Sequence, residues 1–218
     1  MSQYIAHARG YDLTARILGY SLLPRRIAAL FAQVAGPFGE DAHILDFGIG
    51  TGRVTQALAK HTRARITGID PAAPMLAIAQ RKLAMHPRLH LVRGQYQPGV
   101  ALPFADAVFD GAVSAGVFGH IPATPHLAGE FHRILKPGAA FVFTYEWLPL
   151  GEPGSADIVG ERDYPEDLWN YAQTEPRVRD AFKKAGFDVI SHTVMRAHFD
   201  PDLLNIRRYG VFSMRRPG

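Results

Sequence analysis

The sequence contains no cysteine. Disulfide staples, thiolate metal sites and a thiol nucleophile are therefore excluded, and nothing points to adaptation to an oxidising compartment. It also lacks an uninterrupted apolar run of the roughly 18 residues that a membrane span requires, and its start, MSQYIAHARGYDLTAR, has no apolar signal core. A strong charge imbalance is missing too. The 24 Lys and Arg against 20 Asp and Glu leave +4, scattered except for a late group at Arg207, Arg208, Arg215 and Arg216. That group is either a solvated edge strand or a contact for an acidic substrate or lipid headgroup. No dense basic stripe tracks a nucleic-acid backbone, so no nucleic-acid partner is expected. Internal repeats and low-complexity tracts are absent. The expectation is a soluble, cytoplasmic globular protein, a monomer or a homodimer, whose 218 residues are enough for one sizeable α/β domain.

The residues that are present fall into three stretches, each part of a single domain over 1–218. Residues 1–40 read as an N-terminal helical cap, interrupted near Pro24 and ended by Gly36, Pro37 and Gly39. Residues 41–147 alternate between short apolar runs and helical patterns. HILDFG, RITGID, LHLVRG, FDGAVSA and AAFVFTYEW read as strands, and RVTQALAKH, PMLAIAQRKLAMH and HLAGEFHRIL as helices, the last stopped by Lys136-Pro137-Gly138. Such alternation predicts parallel pairing through crossovers, with helices on both faces of the sheet. Residues 148–218 change rhythm. A long polar insertion over 148–170 reads as a lid or substrate loop, followed by a helix at RVRDAFKKAG and two closing strands, FDVISHTV and RYGVFSMRR. The expected fold is a Rossmann-like, mostly parallel seven-stranded sheet with a C-terminal antiparallel hairpin.

The chemistry concentrates at the first turn. Gly48, Gly50 and Gly52 alternate after a strand and before a helix, in the pattern Asp46-x-Gly-x-Gly-x-Gly. The dinucleotide pattern G-x-G-x-x-G, started from Gly48, requires glycine where Arg53 stands, and no Lys-Ser or Lys-Thr follows as in a phosphate loop. Asp70 ends the second strand 20 residues after Gly50, where an acidic side chain meets ribose hydroxyls in such folds. The pair suits an adenosine with a free ribose better than a diphosphate.

These segments resemble the class I S-adenosylmethionine-dependent methyltransferases of small molecules. ILDFGIGTGRV is similar to that family's first motif, GIDPAAPMLAIAQ to the second, VRGQYQPGVALPFADAVFDGAVSAGVFGHI to the third and fourth, and EFHRILKPGAAFVFT to its helix–turn–strand segment. The resemblance covers residues 43–145, with FKKAGFDVI near 182–190. It implies S-adenosyl-L-methionine as cofactor, becoming S-adenosyl-L-homocysteine, in a cradle of Asp46, Gly48, Gly50, Thr51, Gly52, Asp70, Pro71, Met75, Gln95, Tyr96, Ser114 and Ala115. Asp46 would hold the turn or the methionine ammonium, Asp70 the ribose, and Met75 would line the adenine. Backbone at Ser114 and Ala115 would border the sulfonium. The family commonly has Gly-Asp where this chain has Gly94-Gln95. A Gln carbonyl still accepts a bond from the adenine amino group, without charge. Tyr96 either stacks near the adenine or covers its rim.

Methyl transfer needs alignment first and a base only if the nucleophile must lose a proton. His120, just beyond the fourth strand, is the candidate base, or else it packs beside the cofactor. Tyr145 and Glu146 at the end of the fifth strand could orient a substrate, or be ordinary strand-end residues. Tyr11, Tyr20 and Trp147 would line an apolar acceptor pocket, or form core and lid packing. His126, His132, His192 and His198 lack metal-ligand spacing, so no metal is expected. Two other readings stay open: a non-catalytic S-adenosylmethionine-binding module, and a nicotinamide-dependent oxidoreductase. A peripheral lipid contact through Phe31 and ILGYSLL remains compatible with the pattern.

Overall fold

The structure is a computed structural model that describes residues 12–13, 22–151, 154–163, 168–200 and 205–218. Helix α1 (Leu23–Ala35) carries Pro24 in its first turn, where a fixed φ suits the helix, and it buries Ile27, Ala28 and Phe31. The alternating segment then forms β1 (His43–Phe47), α2 (Arg53–Leu58), β2 (Arg65–Asp70), α3 (Ala73–Lys82), β3 (Leu89–Arg93), β4 (Phe109–Ser114), α4 (Pro125–Ile134) and β5 (Leu135–Trp147). Strands β1 to β5 pair in parallel in the order β3-β2-β1-β4-β5. The chain closes with β6 (Ile158–Asp163), β7 (Leu168–Gln173), α5 (Glu175–Lys184), β8 (Asp188–Asp200) and β9 (Asn205–Arg215).

Side chains of β1 and β5 alternate between two cores, as a sheet covered on both faces requires. On one face Leu45, Phe47, Phe141 and Phe143 pack with Leu127 and Phe131 of α4 and Phe182 of α5. Phenylalanine rings stack through its centre, Phe131 on Phe141 at 4.2 Å and Phe118 on Phe143 at 4.7 Å between centroids. Each fully buried ring contributes about 1.5–3 kcal/mol. On the other face Ile44 and Val142 pack with Phe31 of α1 and Val54 and Leu58 of α2. Gly111 of β4 leaves the room Phe31 occupies: a Cβ there would come within 2.6 Å of its ring.

The C-terminal hairpin forms as the sequence predicts, β8 against β9, with β9 antiparallel to β5. The insertion differs from the expected loop. It folds as the antiparallel pair β6–β7, and β7 adds to β5 in parallel through Glu146–Ala172 and Trp147–Gln173, making a nine-stranded sheet. The reason is the length of β5. It outruns β4, which ends at Ser114 opposite Phe143, and its last residues would otherwise expose an unpaired edge to water. Lys136-Pro137-Gly138 ends α4 as expected, and is then absorbed as a bulge. The β4–β5 register jumps from Phe109–Leu135 to Gly111–Ala140, with Gly138 at φ +82°. Among the described residues no helix is long and apolar enough to cross a membrane.

Candidate active site

The order β2-β1-β4 sends the chain in opposite directions after β1 and β4: α2 packs on one face and α4 on the other. A crevice therefore opens at the carboxyl ends of these strands, where ligands bind in open α/β sheets. The turn after β1 forms its floor. The amides of Gly48 and Ile49 both donate to the Ile69 carbonyl, at 2.8 and 3.1 Å, and so tie the turn to the end of β2. Gly48, Gly50 and Gly52 all have positive φ, but they meet different surroundings. A Cβ on Gly48 would stand 2.1 Å from Val117 Cγ2, and one on Gly52 2.7 Å from Leu83 Cδ1. Among the described residues, nothing lies closer than 4.0 Å over Gly50, and nothing lies within 4 Å over Gly116, past β4. Two of the three glycines thus allow the protein to close on itself, and Gly50 leaves backbone open to a ligand. Gly52 also supplies the close helix packing that Arg53, one position later, could not.

Asp70 is 9% exposed, and both of its oxygens are held by backbone amides. Oδ2 accepts from Gly50 N and Oδ1 from Ala72 N, each at 2.9 Å. Burial raises its pKa and those two bonds partly offset the rise. The carboxylate keeps lone pairs for the hydroxyls of a ribose. Asp46 is deeper. Burial pushes its pKa up to about 7, opposed by hydrogen bonds from Thr55 and reinforced by the charge of Asp70. Its Oδ2 accepts from Thr55 Oγ1 at 2.6 Å, which fixes α2 to β1. Met75 is buried, Pro71 and Gln95 are exposed, and the Ser114 hydroxyl donates to the Phe47 carbonyl at 2.9 Å. Ala115 is half-buried against the α1–α2 core, and Gly116 N donates to Thr144 Oγ1 at 2.8 Å. Tyr96 lies in the other core, its hydroxyl 2.9 Å from His126 Nδ1. The fit to a nucleoside is therefore a preset carboxylate beside an open glycine. Asp46, Gly50 and Asp70 come together there, and Tyr96 is turned toward α4.

The other wall is made by the loop after β4. His120 is exposed on it, one turn past Val117, whose carbonyl accepts from His120 N at 2.8 Å. The loop is stapled to β7: Tyr171 N donates to the Gly119 carbonyl at 2.5 Å, Gln173 Nε2 to the Phe118 carbonyl at 2.9 Å, and Ala123 N to Gln173 Oε1 at 2.8 Å. Glu146 is buried at the end of β5. A Cβ on Gly119 would stand 3.4 Å from its Oε1 and 2.8 Å from Asn170 Oδ1, a buried oxygen with no hydrogen-bond partner among the described residues. Tyr145 is not on this wall. It is 1% exposed, its hydroxyl meets His192 Nε2 at 2.9 Å, and its ring stacks on Phe212. Burial and the nearby Glu175 raise its pKa against the lowering by Arg179. Trp147 packs at the edge of the phenylalanine core with Arg208 over its ring at 5.7 Å. Tyr11 and Tyr20 lie outside the described residues. An open groove of about 490 Å³ between α2 and the end of α3, lined by Gln56, Lys82 and His86, contains none of these crevice residues. Among the described residues no group of three His, Asp or Glu side chains is placed to hold a metal.

Sequence reasoning did not find Gln173, Asn170 or Asp12. Asn170 ends the insertion read as loop and Gln173 lies just past it, and the hydrogen-bond partners of Gln173 are 50 and 55 positions away, beyond the reach of any motif. Asp12 Oδ1 accepts from Thr51 Oγ1 at 2.7 Å and Oδ2 from Lys82 Nζ at 2.5 Å.

A family model described as a methyltransferase domain matches residues 45–143, which span the crevice from β1 to β5. The chain is 38% identical over 170 residues to a demethylmenaquinone methyltransferase of Lactiplantibacillus plantarum, covering 67% of this chain and 70% of that protein. It is 28% identical over 197 residues to an O-methyltransferase of Penicillium expansum, covering 86% and 65%. Of the first curated relatives it matches, the chain spans 65%, 29% and 54% of the length. Its fold is similar to that of the Burkholderia thailandensis 1,6-didemethyltoxoflavin-N1-methyltransferase, solved with its substrate and S-adenosylhomocysteine, at a TM-score of 0.70 and 19% identity over 100% of this chain and 87% of that one.

Proposed function

The chain belongs to the class I S-adenosylmethionine-dependent methyltransferases, and on that premise we propose that it methylates a small molecule whose nucleophile enters between the loop after β4 and the β6–β7 hairpin. The observation that carries the donor side is Asp70. Its carboxylate is locked between Gly50 N and Ala72 N beside the open backbone of Gly50, so a ribose meets acceptors already in place. Gly50 and Gly116 give the donor room on the two sides of the crevice. The cofactor supplies a methyl group on a sulfonium, from which a neutral thioether departs. The chain's own work is alignment. The Gln173 and Tyr171 bonds hold the β4 loop, and Thr144 holds Gly116, so the wall facing the methyl group does not have to be ordered during the reaction. His120, exposed on that loop, would take a proton from an acceptor that needs to lose one. Glu146 and Asn170 offer oxygen acceptors to a substrate N–H or O–H. The names of the relatives, demethylmenaquinone, sterol C- and O-methyltransferases among them, with a heterocycle N-methyltransferase of similar fold, favour a small-molecule acceptor.

The test combines binding and turnover. S-Adenosylhomocysteine should bind the wild type by calorimetry, and Asp70→Ala should weaken it by about 100-fold or more, the loss of charge-assisted bonds to two hydroxyls. Label from methyl-tritiated S-adenosylmethionine should then reach at least one member of a panel of quinols, phenols, amines and nitrogen heterocycles. Absence of homocysteine-analogue binding would end the donor assignment. Tight binding with no transfer across the panel would instead favour a module that binds without catalysing.

A further inference from the structure

Asp12 belongs to neither wall of the crevice, yet its carboxylate joins three parts of the molecule. Oδ1 accepts from the hydroxyl of Thr51, a residue of the glycine turn that is 2% exposed. Oδ2 accepts from Lys82 Nζ at the end of α3, and Lys82 also reaches Thr51 Oγ1 at 3.2 Å. Arg53 Nε stands 4.0 Å from Oδ1. The Thr51 hydroxyl thereby spends its one donor on Asp12 and accepts from Lys82. Burial opposes the charge on Asp12, but the hydrogen bonds from Lys82 and Thr51 and the charges of Lys82 and Arg53 outweigh it and hold the carboxyl below its ordinary range.

The two elements that Asp12 ties together are the same two that set the ribose carboxylate. Gly50, adjacent to Thr51, donates to Asp70 Oδ2, and Ala72, at the start of the helix that carries Lys82, donates to Oδ1. Nothing covalent short of the β2 strand keeps the turn and α3 at the right separation. The packing between them is apolar, Gly52 and Ile49 against Ala79 and Leu83, and Asp12 adds a directed, charged link to it.

We propose that Asp12 is a positioning residue for donor binding. It clamps the glycine turn to α3 through Thr51 and Lys82, keeping Gly50 N and the Asp70 carboxylate in register for the ribose, without touching the donor. This rests on the donor site being the one described under Proposed function, and the test separates the two.

Affinity for S-adenosylmethionine and for S-adenosylhomocysteine is measured by calorimetry on the wild type and on Asp12→Asn, Asp12→Glu, Lys82→Met, the double variant Asp12→Asn/Lys82→Met, and Asp70→Ala. Asp12→Asn and Lys82→Met should each weaken both ligands by the same factor, about three- to tenfold, as expected for a partly exposed charge-assisted link. The double variant should lose no more than either single one, because both cut one clamp. Asp12→Glu should recover most of the affinity. Raising the salt concentration should weaken wild-type binding and narrow the gap to Asp12→Asn. If Asp12→Asn does not fold, Lys82→Met carries the same readout. Unchanged affinity in Asp12→Asn and Lys82→Met, with Asp70→Ala weakened, overturns the clamp and leaves the donor site standing. A loss confined to the sulfonium ligand also overturns it, since Asp12 would then act on the donor's charge directly. Unchanged affinity in Asp70→Ala overturns the donor site itself.

Discussion

On the proposed donor side of the crevice the central hydrogen bond spans 20 positions, Gly50 N to Asp70, inside one strand–helix–strand unit. On the acceptor side the bonds from Gln173 to Ala123 and to Phe118 span 50 and 55 positions, and they exist only because an inserted hairpin has docked on the end of β5. The donor side is therefore assembled by the same local contacts that make the fold. The acceptor side is assembled by the fold after it exists. That division suits an enzyme family with one donor and many acceptors. The proposed donor site is held within one strand–helix–strand unit, and the proposed acceptor wall is carried by an inserted segment docked by a few specific bonds.

The largest effect is expected where the two sides touch. Gly48→Ala places a methyl group 2.1 Å from Val117 Cγ2, on a residue at φ +74°. Val117 is stiff at χ1 and its loop is stapled, so the strain has nowhere to go. A loss of about 3 kcal/mol or more in urea unfolding is expected, with donor affinity and turnover falling together. If only one of them fell, the two sides would be less coupled than the contact implies.

Gln173→Leu should separate them. It is nearly isosteric, but it strands the Phe118 carbonyl and the Ala123 amide, both buried partners of a fully buried amide. About 2–3 kcal/mol of stability should be lost. Methyl transfer at saturating donor should drop well beyond what the unfolded fraction explains, while homocysteine-analogue affinity at a temperature where the variant is folded should stay within twofold. A comparable loss of donor affinity would show that the two sides are not independent.

The smallest effect is a slope. The folded-state pKa of Asp46 is raised by burial to about 7 from an ordinary 3.8. A raised carboxyl favours the fold while protonated, so its contribution is whole below pH 4, declines as pH rises toward 7, and is gone above that. Asp46→Asn keeps an acceptor for Thr55 and cannot ionise. The wild type should therefore lose at least about 1 kcal/mol relative to Asp46→Asn between pH 4 and pH 7.5, read as the difference in urea midpoints. Parallel curves would mean that Asp46 ionises freely and that the donor side is wetter than its burial indicates.

The sequence by itself determined the strand–helix alternation from His43 to Trp147, the turn at Gly48–Gly52 and the acidic residue at Asp70. The reason is that each is written in residues close enough to interact before the rest of the chain arrives: apolar period, positive φ and a single crossover. Tyr145 and Glu146 show where that reach ends. They are neighbours at a strand end and equally plausible on paper, yet β9 and α5 bury Tyr145 in the phenylalanine core while the hairpin brings Asn170, and the loop after β4 brings Gly119, to Glu146. Which face of the sheet each took followed from its phase in β5, but what waited on that face was decided by segments tens of residues away. The same holds for Asp12. Its charge is visible in the sequence, but its meeting with Thr51 and Lys82 exists only once packing has closed the distance, because a buried or half-buried carboxylate takes its partners from whatever the folded chain places beside it.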